Sequence, residues 1–264
     1  MIKIITGHSA VGGSTTALID LTNQLNNHGY DATMYGANQY HLDKCKGALI
    51  QKLSIEEEDL IIAHFVSMGE VVKNRKGLVV LVSHEQDVFK IKSLPKFYNK
   101  IIFVNEKQRA FHKYNGNYDI IPLFKPELPI CYKEENKKVA AVIGSIDENK
   151  QTDISIMRAL NEDYDKVFVF GSITSRAYYE KCVHRLIDGD KVIYKGVEED
   201  KVKMYSQVGA VFHSALKEVH CLVKDECEIS GIPFYGTEST NRPLTTLSNE
   251  DIFKLWERAL LLKK

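Results

Sequence analysis

The chain has 264 residues, 44% of them apolar and 27% charged, and its formal net charge is zero. That describes an ordinary globular protein with room for one large or two small domains, and gives no global pull toward nucleic acid or membrane. Five scattered cysteines (Cys45, Cys131, Cys182, Cys221, Cys227) form no C-x-x-C pair, which argues against a zinc site or disulfide framework and fits reduced thiols.

The apolar start, residues 1–6, reads as a strand and is too short for a signal peptide. No apolar run approaches the ~20 residues a membrane span needs. A cytoplasmic location is expected, or the host cytoplasm for a viral protein. After the first strand comes a loop with Gly12-Gly13. A helix is predicted over 14–28, with Ala17, Leu18, Leu21 and Leu25 on one face and Gly29 as its stop. A strand at 31–36 completes a nucleotide-binding βαβ opening. Neither G-x-G-x-x-G nor a Gly-Lys-Ser/Thr loop is present, so it is not a dinucleotide fingerprint or a Walker loop.

Continuous apolar runs follow at 59–65, 78–83, 100–105 and 119–123. Strands of a parallel sheet buried on both faces read this way. Helices are predicted between them at 67–76 and 106–114. Pro122 and the stretch Lys125-Pro126-Glu127-Leu128-Pro129 break the pattern and mark a linker. A second βα series then runs through strands at 139–144, 166–171, 191–194 and 208–213. Its helices are predicted at 152–160, 175–187 and 198–206. The last segment, 248–262, is an amphipathic helix with Ser248 as N-cap.

The second series ends in FHSALKEVHCLVKDECEISGIPFYG, residues 212–236. A strand passes through a polar loop into a helix from about Cys221 to Ser230, stopped by Gly231 and Pro233. Glu218 precedes the helix and Glu226 lies within it, eight positions on. The free N–H groups at 219–223 form an anion site. Carboxylates on either side of a phosphate-sized hole suit a nucleotide carrying a hydroxyl-rich group. The bland alternative is an amphipathic surface helix with solvated glutamates.

This stretch resembles the Glu–seven residues–Glu motif of retaining GT-B glycosyltransferases, the large family that includes sucrose synthase and many bacterial sugar transferases. Glu218, Leu222, Glu226, Gly231 and Pro233 fall in register, while Val219 and Cys221 stand where the family has glycines. The resemblance implies an α/β protein of GT-B architecture. Two Rossmann-like domains are expected, at 1–127 on the acceptor side and 128–247 for the nucleotide sugar. The helix at 248–264 is expected to cross back to the first domain.

The resemblance also implies roles. Glu218 would hold sugar hydroxyls and Glu226 the ribose, with His220, Cys221 and Leu222 at the phosphates. Gly12 and Gly13 match the first-turn glycines that admit the donor diphosphate. Lys150 matches a phosphate-binding lysine, but Ser145 replaces its partner arginine. Gly196 and Val197 match the turn that contacts the base. His84 closes a strand near the transferred sugar in this family; a backbone-bonded buried histidine is the equal alternative. His64, ending a neighbouring strand, could face the acceptor. Catalysis is therefore expected from Glu218, His84 and Lys150.

The implied reaction transfers a sugar from a nucleotide sugar, with a UDP- or GDP-linked donor as substrate, retention of configuration, and no metal or other cofactor. A binding module without turnover and a nucleotide-sugar epimerase are the alternatives. Asp188-Gly189-Asp190 resembles a metal-binding D-x-D but separates a helix from a strand, where it is turn chemistry. No G-x-S-x-G elbow supports a hydrolase. Between Lys73 and Lys113, ten basic residues, Lys90 and Lys92 among them, face three acidic ones. This is either a solvated face or a surface for an anionic acceptor, such as a glycolipid head group or modified nucleic acid.

Overall fold

The computed structural model describes residues 1–6, 12–36, 44–47, 54–64, 77–84 and 95–262. The chain divides into two compact units, Met1–Lys125 with Thr245–Lys264, and Pro126–Leu244. Among the described residues the helices are α1 (Gly13–Asn27), α2 (Glu106–His112), α3 (Thr152–Asn161), α4 (Arg176–Tyr178), α5 (Lys201–Tyr205), α6 (Leu222–Ser230) and α7 (Asn249–Ala259).

The first unit holds a parallel sheet of β1 (Ile2–Ile5), β2 (Ala32–Tyr35), β3 (Leu60–Ala63), β4 (Val79–Ser83), β5 (Lys100–Phe103) and β6 (Tyr118–Ile120), in the order β2-β1-β3-β4-β5-β6. Its strands feed two cores. Ile4, Ile62, Val80, Val82 and Ile102 share one with Leu18, Leu21 and Leu25 of α1. Ile5, Ile61, Ala63, Val79, Leu81, Ile101 and Phe103 form the other. Side chains alternate between faces, and both faces are covered, so the strands carry no polar alternation.

The terminal helix α7 belongs to this first unit. Ser248 caps it by accepting the Asp251 N–H at 3.1 Å. Ile252, Phe253, Trp256 and Ala259 enter the α1 core, and the Phe253 ring stacks on His28 at 3.6 Å. Tyr30 donates its hydroxyl to Glu257 at 2.9 Å.

The second unit holds β7 (Val139–Ile143), β8 (Lys166–Phe170), β9 (Val192–Gly196), β10 (Ala210–Phe212) and β11 (Phe234–Tyr235), parallel in the order β11-β10-β7-β8-β9. The turn between β7 and α3 is pressed against the turn after β8. A Cβ on Gly171, whose φ is +144°, would sit 1.8 Å from the Gly144 carbonyl oxygen.

Three helices differ from the sequence reading. The one expected at 175–187 is broken: α4 passes into a π-turn at Tyr179–Val183 and a 3₁₀ turn at His184–Leu186. This backbone buries the adjacent Tyr178 and Tyr179 together with Val183 in one core. The helix α5 starts at Lys201, not 198, because Asp200 caps it by accepting the Lys203 N–H at 2.9 Å. The helix α2 stops at His112 because Lys113 turns left-handed, at φ 53°. The helix expected at 67–76 lies outside the described residues.

Candidate functional site

Strand order fixes where each unit can offer a ligand site. In the first sheet the chain reverses direction of growth between β1 and β3, and in the second between β7 and β10. Crevices beyond the carboxyl ends of strands at such points are the binding positions of open parallel sheets.

In the second unit that point is fully built. The loop after β7 carries Lys150, and the segment after β10 runs from His213 to Glu218. The two are laced together: Leu216 donates its N–H to Asn149 O at 2.8 Å, and the Asn149 side chain donates to Lys217 O at 3.2 Å. The Lys150 ammonium donates to Glu218 Oε1. His213, buried at the end of β10, places Nε2 3.0 Å from the same oxygen and Nδ1 3.2 Å from the Ile143 carbonyl of β7. Burial pushes the Glu218 carboxyl up, but the bonds and charges of His213 and Lys150 outweigh it and hold it below the ordinary glutamate value. Glu218 is an anchored carboxylate whose Oε2 makes no hydrogen bond among the described residues.

The helix α6 begins directly beyond. Cys221 is its N-cap and makes no side-chain capping bond, so the first N–H groups stay open to an anion. The Cys221 thiol is pushed up to about 12 by burial and then by the Glu218 charge, so it stays protonated. His220 turns back onto Asp225. Gly231 closes α6 in the left-handed conformation, at φ 76°. Arg242 braces the loop from behind, donating to the carbonyls of Val219 and of Glu218, the latter at 3.1 Å.

Other candidates have different surroundings. Ser145 donates to Asp147 at 2.6 Å, and Asp147 also accepts the Lys150 N–H at 2.9 Å, so this serine closes its own turn. Glu226 is buried with both oxygens bonded: Tyr205 donates to Oε2 at 2.7 Å and Lys201 to Oε1. Gly196 sits at φ +71° and its carbonyl accepts from Gly171 N at 2.8 Å, while Val197 is exposed. Asp188 accepts the N–H groups of Asp190, Lys191 and Val192, which is the turn chemistry expected there.

In the first unit, Gly12 is the N-cap of α1 with extended backbone, and Gly13 opens that helix. No atom of the described residues lies within 4 Å of where a Gly12 Cβ would stand. Thr6 follows β1 and His64 follows β3, with Thr6 Oγ1 3.1 Å from His64 Nδ1 across the reversal point. His84, following β4, lies beside His64 with ring centroids 5.2 Å apart. Burial pushes the His84 ring down to about 4, so it is neutral at pH 7. Lys90 and Lys92 lie outside the described residues. Of the other basic residues in that segment, Lys100 pairs with Asp119 at 2.6 Å and Arg109 with Glu106.

His213, Arg242, Lys201 and Tyr205 escaped the sequence reading. His213 carried a signal, since it ends a strand as His64 and His84 do. Ligand atoms of His213, Glu218 and Cys221 lie within 4.8 Å of one another. Lys150 already occupies Glu218 Oε1, and Oε2 is the carboxylate oxygen that the cluster leaves open.

No protein-family model matches the chain, and no curated protein sequence matches it. Solved structures do. HepE of Anabaena in complex with UDP-glucose superposes with a TM-score of 0.71 at 15% identity, covering 91% of this chain and 81% of that one. Sucrose-phosphate synthase from Thermosynechococcus elongatus gives 0.69 at 14% identity, covering 99% and 90%. WaaG, a glycosyltransferase involved in lipopolysaccharide biosynthesis, gives 0.61 at 15% identity, covering 99% and 90%. The chain has the GT-B fold of glycosyltransferases, with two Rossmann-like units.

Proposed function

We propose that the chain is a glycosyltransferase that takes a sugar from a UDP- or GDP-linked donor and passes it to an acceptor with retention of configuration. The observation that carries this is the Lys150–Glu218 pair at the reversal point of the second sheet, beside the open start of α6. HepE, similar in fold, is solved with UDP-glucose. Lys150 and the α6 N–H groups supply charge for the departing diphosphate. The free Oε2 of Glu218 accepts from sugar hydroxyls. The second unit is the donor side, and the diphosphate serves as the proton acceptor on the same face without a metal. The first unit, with His64 and neutral His84, is the acceptor side, and the acceptor is anionic.

One observation favours a second reading, a nucleotide-sugar-binding protein without turnover. The Glu226 carboxylate, expected at the ribose, is saturated by Lys201 and Tyr205. Incubation with a panel of nucleotide sugars separates the two. Released diphosphate, with transfer to added acceptor, supports the transferase. Donor binding with no release supports the binding protein.

A further inference from the structure

The cationic pair expected at a donor diphosphate is incomplete in this chain, because Ser145 stands in the arginine position and donates to Asp147. Lys150 alone cannot replace it. Its ammonium is bonded to the Glu218 carboxylate, and that pair is neutral. The missing charge has to come from elsewhere in the crevice.

His213 is the group placed to supply it. Its Nδ1 lies 3.2 Å from the Ile143 carbonyl and its Nε2 3.0 Å from Glu218 Oε1. Both partners can only accept: one is a backbone carbonyl, the other a carboxylate. Making both bonds requires a proton on each ring nitrogen, and that ring is an imidazolium. The ring is buried and close to Gly144, the residue before Ser145. A Cβ on Gly144 would lie 3.7 Å from His213 Cε1 and 3.9 Å from the Lys150 side chain. Around the ring are Lys150 from the β7 loop, Glu218 and the Cys221 thiol from the β10–α6 segment, and the Phe234 ring of β11 at 6.1 Å.

We propose that His213, as an imidazolium held between Ile143 and Glu218, supplies the second positive charge of the donor-phosphate site in place of the arginine that Ser145 replaces. With the ring protonated, Lys150, His213 and Glu218 together carry one net positive charge, and the Lys150 ammonium can turn to an anion. With the ring neutral, the trio carries none, and one of the two His213 bonds is lost. His213 acts through Glu218 and Lys150 and is a positioning residue. The inference rests on reading this crevice as a nucleotide-diphosphate site.

Two measurements on the full chain test it. The first needs no ligand: nitrogen NMR of the His213 ring at about pH 6.5. Two protonated ring nitrogens are expected, and a neutral tautomer overturns the inference whatever the protein binds. The second is calorimetric titration with UDP at the same pH. His213→Gln is expected to bind at least about tenfold more weakly than wild type, the size of one charged hydrogen bond. His213→Gln with Ser145→Arg should recover that affinity. Wild-type affinity in His213→Gln overturns the inference. If the NMR result holds but UDP binds to no variant, the nucleotide reading fails instead, and the role assigned to the charge fails with it.

Discussion

Tyr205 donates its hydroxyl to Glu226 Oε2 at 2.7 Å, and both residues are buried. Burial and the neighbouring Glu226 charge push the tyrosine well above its ordinary value, so it is a permanent donor. Tyr205→Phe leaves a buried carboxylate oxygen without that donor. It should cost about 1–3 kcal/mol of stability, read from urea unfolding. A variant as stable as wild type would show that water replaces the hydroxyl.

Lys201 fills the other Glu226 oxygen from a half-exposed position. If Glu226 is to hold a ribose, this ammonium has to give way. Lys201→Met should therefore tighten donor binding several-fold while lowering stability. Weaker donor binding in this variant would mean that Lys201 itself contacts the nucleotide.

Lys3 and Asp59 form an ion pair inside the first unit, at 2.7 Å, with side chains 4% and 5% exposed. Asp59→Asn leaves the ammonium buried beside an amide and should cost about 3–5 kcal/mol. Burial raises the Asp59 carboxyl, but Lys3, the Glu56 N–H and the N-terminal charge together outweigh it, and the net shift is below the ordinary 3.8. Its folded value is thus depressed, so its stability contribution is complete above that ordinary value and is lost as pH falls through the folded one. Acid unfolding of wild type against Asp59→Asn measures it, and superimposable acid limbs would contradict it.

His84 works in the same sense, over a higher pH range. Its folded value is about 4 against an ordinary 6.5. Between the two the unfolded chain binds the extra proton, so stability should fall as pH drops from about 6.5 to about 4. His84→Phe should remove part of that slope. A ring that titrates near 6.5 by NMR would contradict the burial argument.

If the acceptor is anionic and steered by the segment 73–113, its binding should weaken steeply with salt. Changing Lys90, Lys92 and Lys96 to Glu should weaken acceptor binding and leave donor binding alone. Normal transfer by that variant would return the segment to ordinary surface.

The inner strands were legible because they are buried on both faces and read as continuous apolar runs, as at Ile61-Ile62-Ala63 and Val79-Val80-Leu81-Val82. The terminal helix was legible from Ser248 and its apolar stripe. The Glu218–Glu226 register was visible because helix start and stop signals are local. Partners were not legible. Glu226 is bonded from α5, 21 and 25 residues earlier, and His213 takes its meaning from a carbonyl 70 residues earlier. Arg242 stands in a stretch without periodicity, so nothing local announced that it braces the Glu218 loop.

The central claim is that Lys150 and Glu218 hold the donor phosphate and sugar. Calorimetric titration with UDP-glucose and other UDP- and GDP-sugars, on wild type and on Lys150→Met, tests it most directly. The account predicts binding of at least one nucleotide sugar by wild type, and a loss of about 1.5–3 kcal/mol of donor affinity in Lys150→Met, measured on protein that still unfolds cooperatively. Equal donor affinity in the two proteins would contradict it.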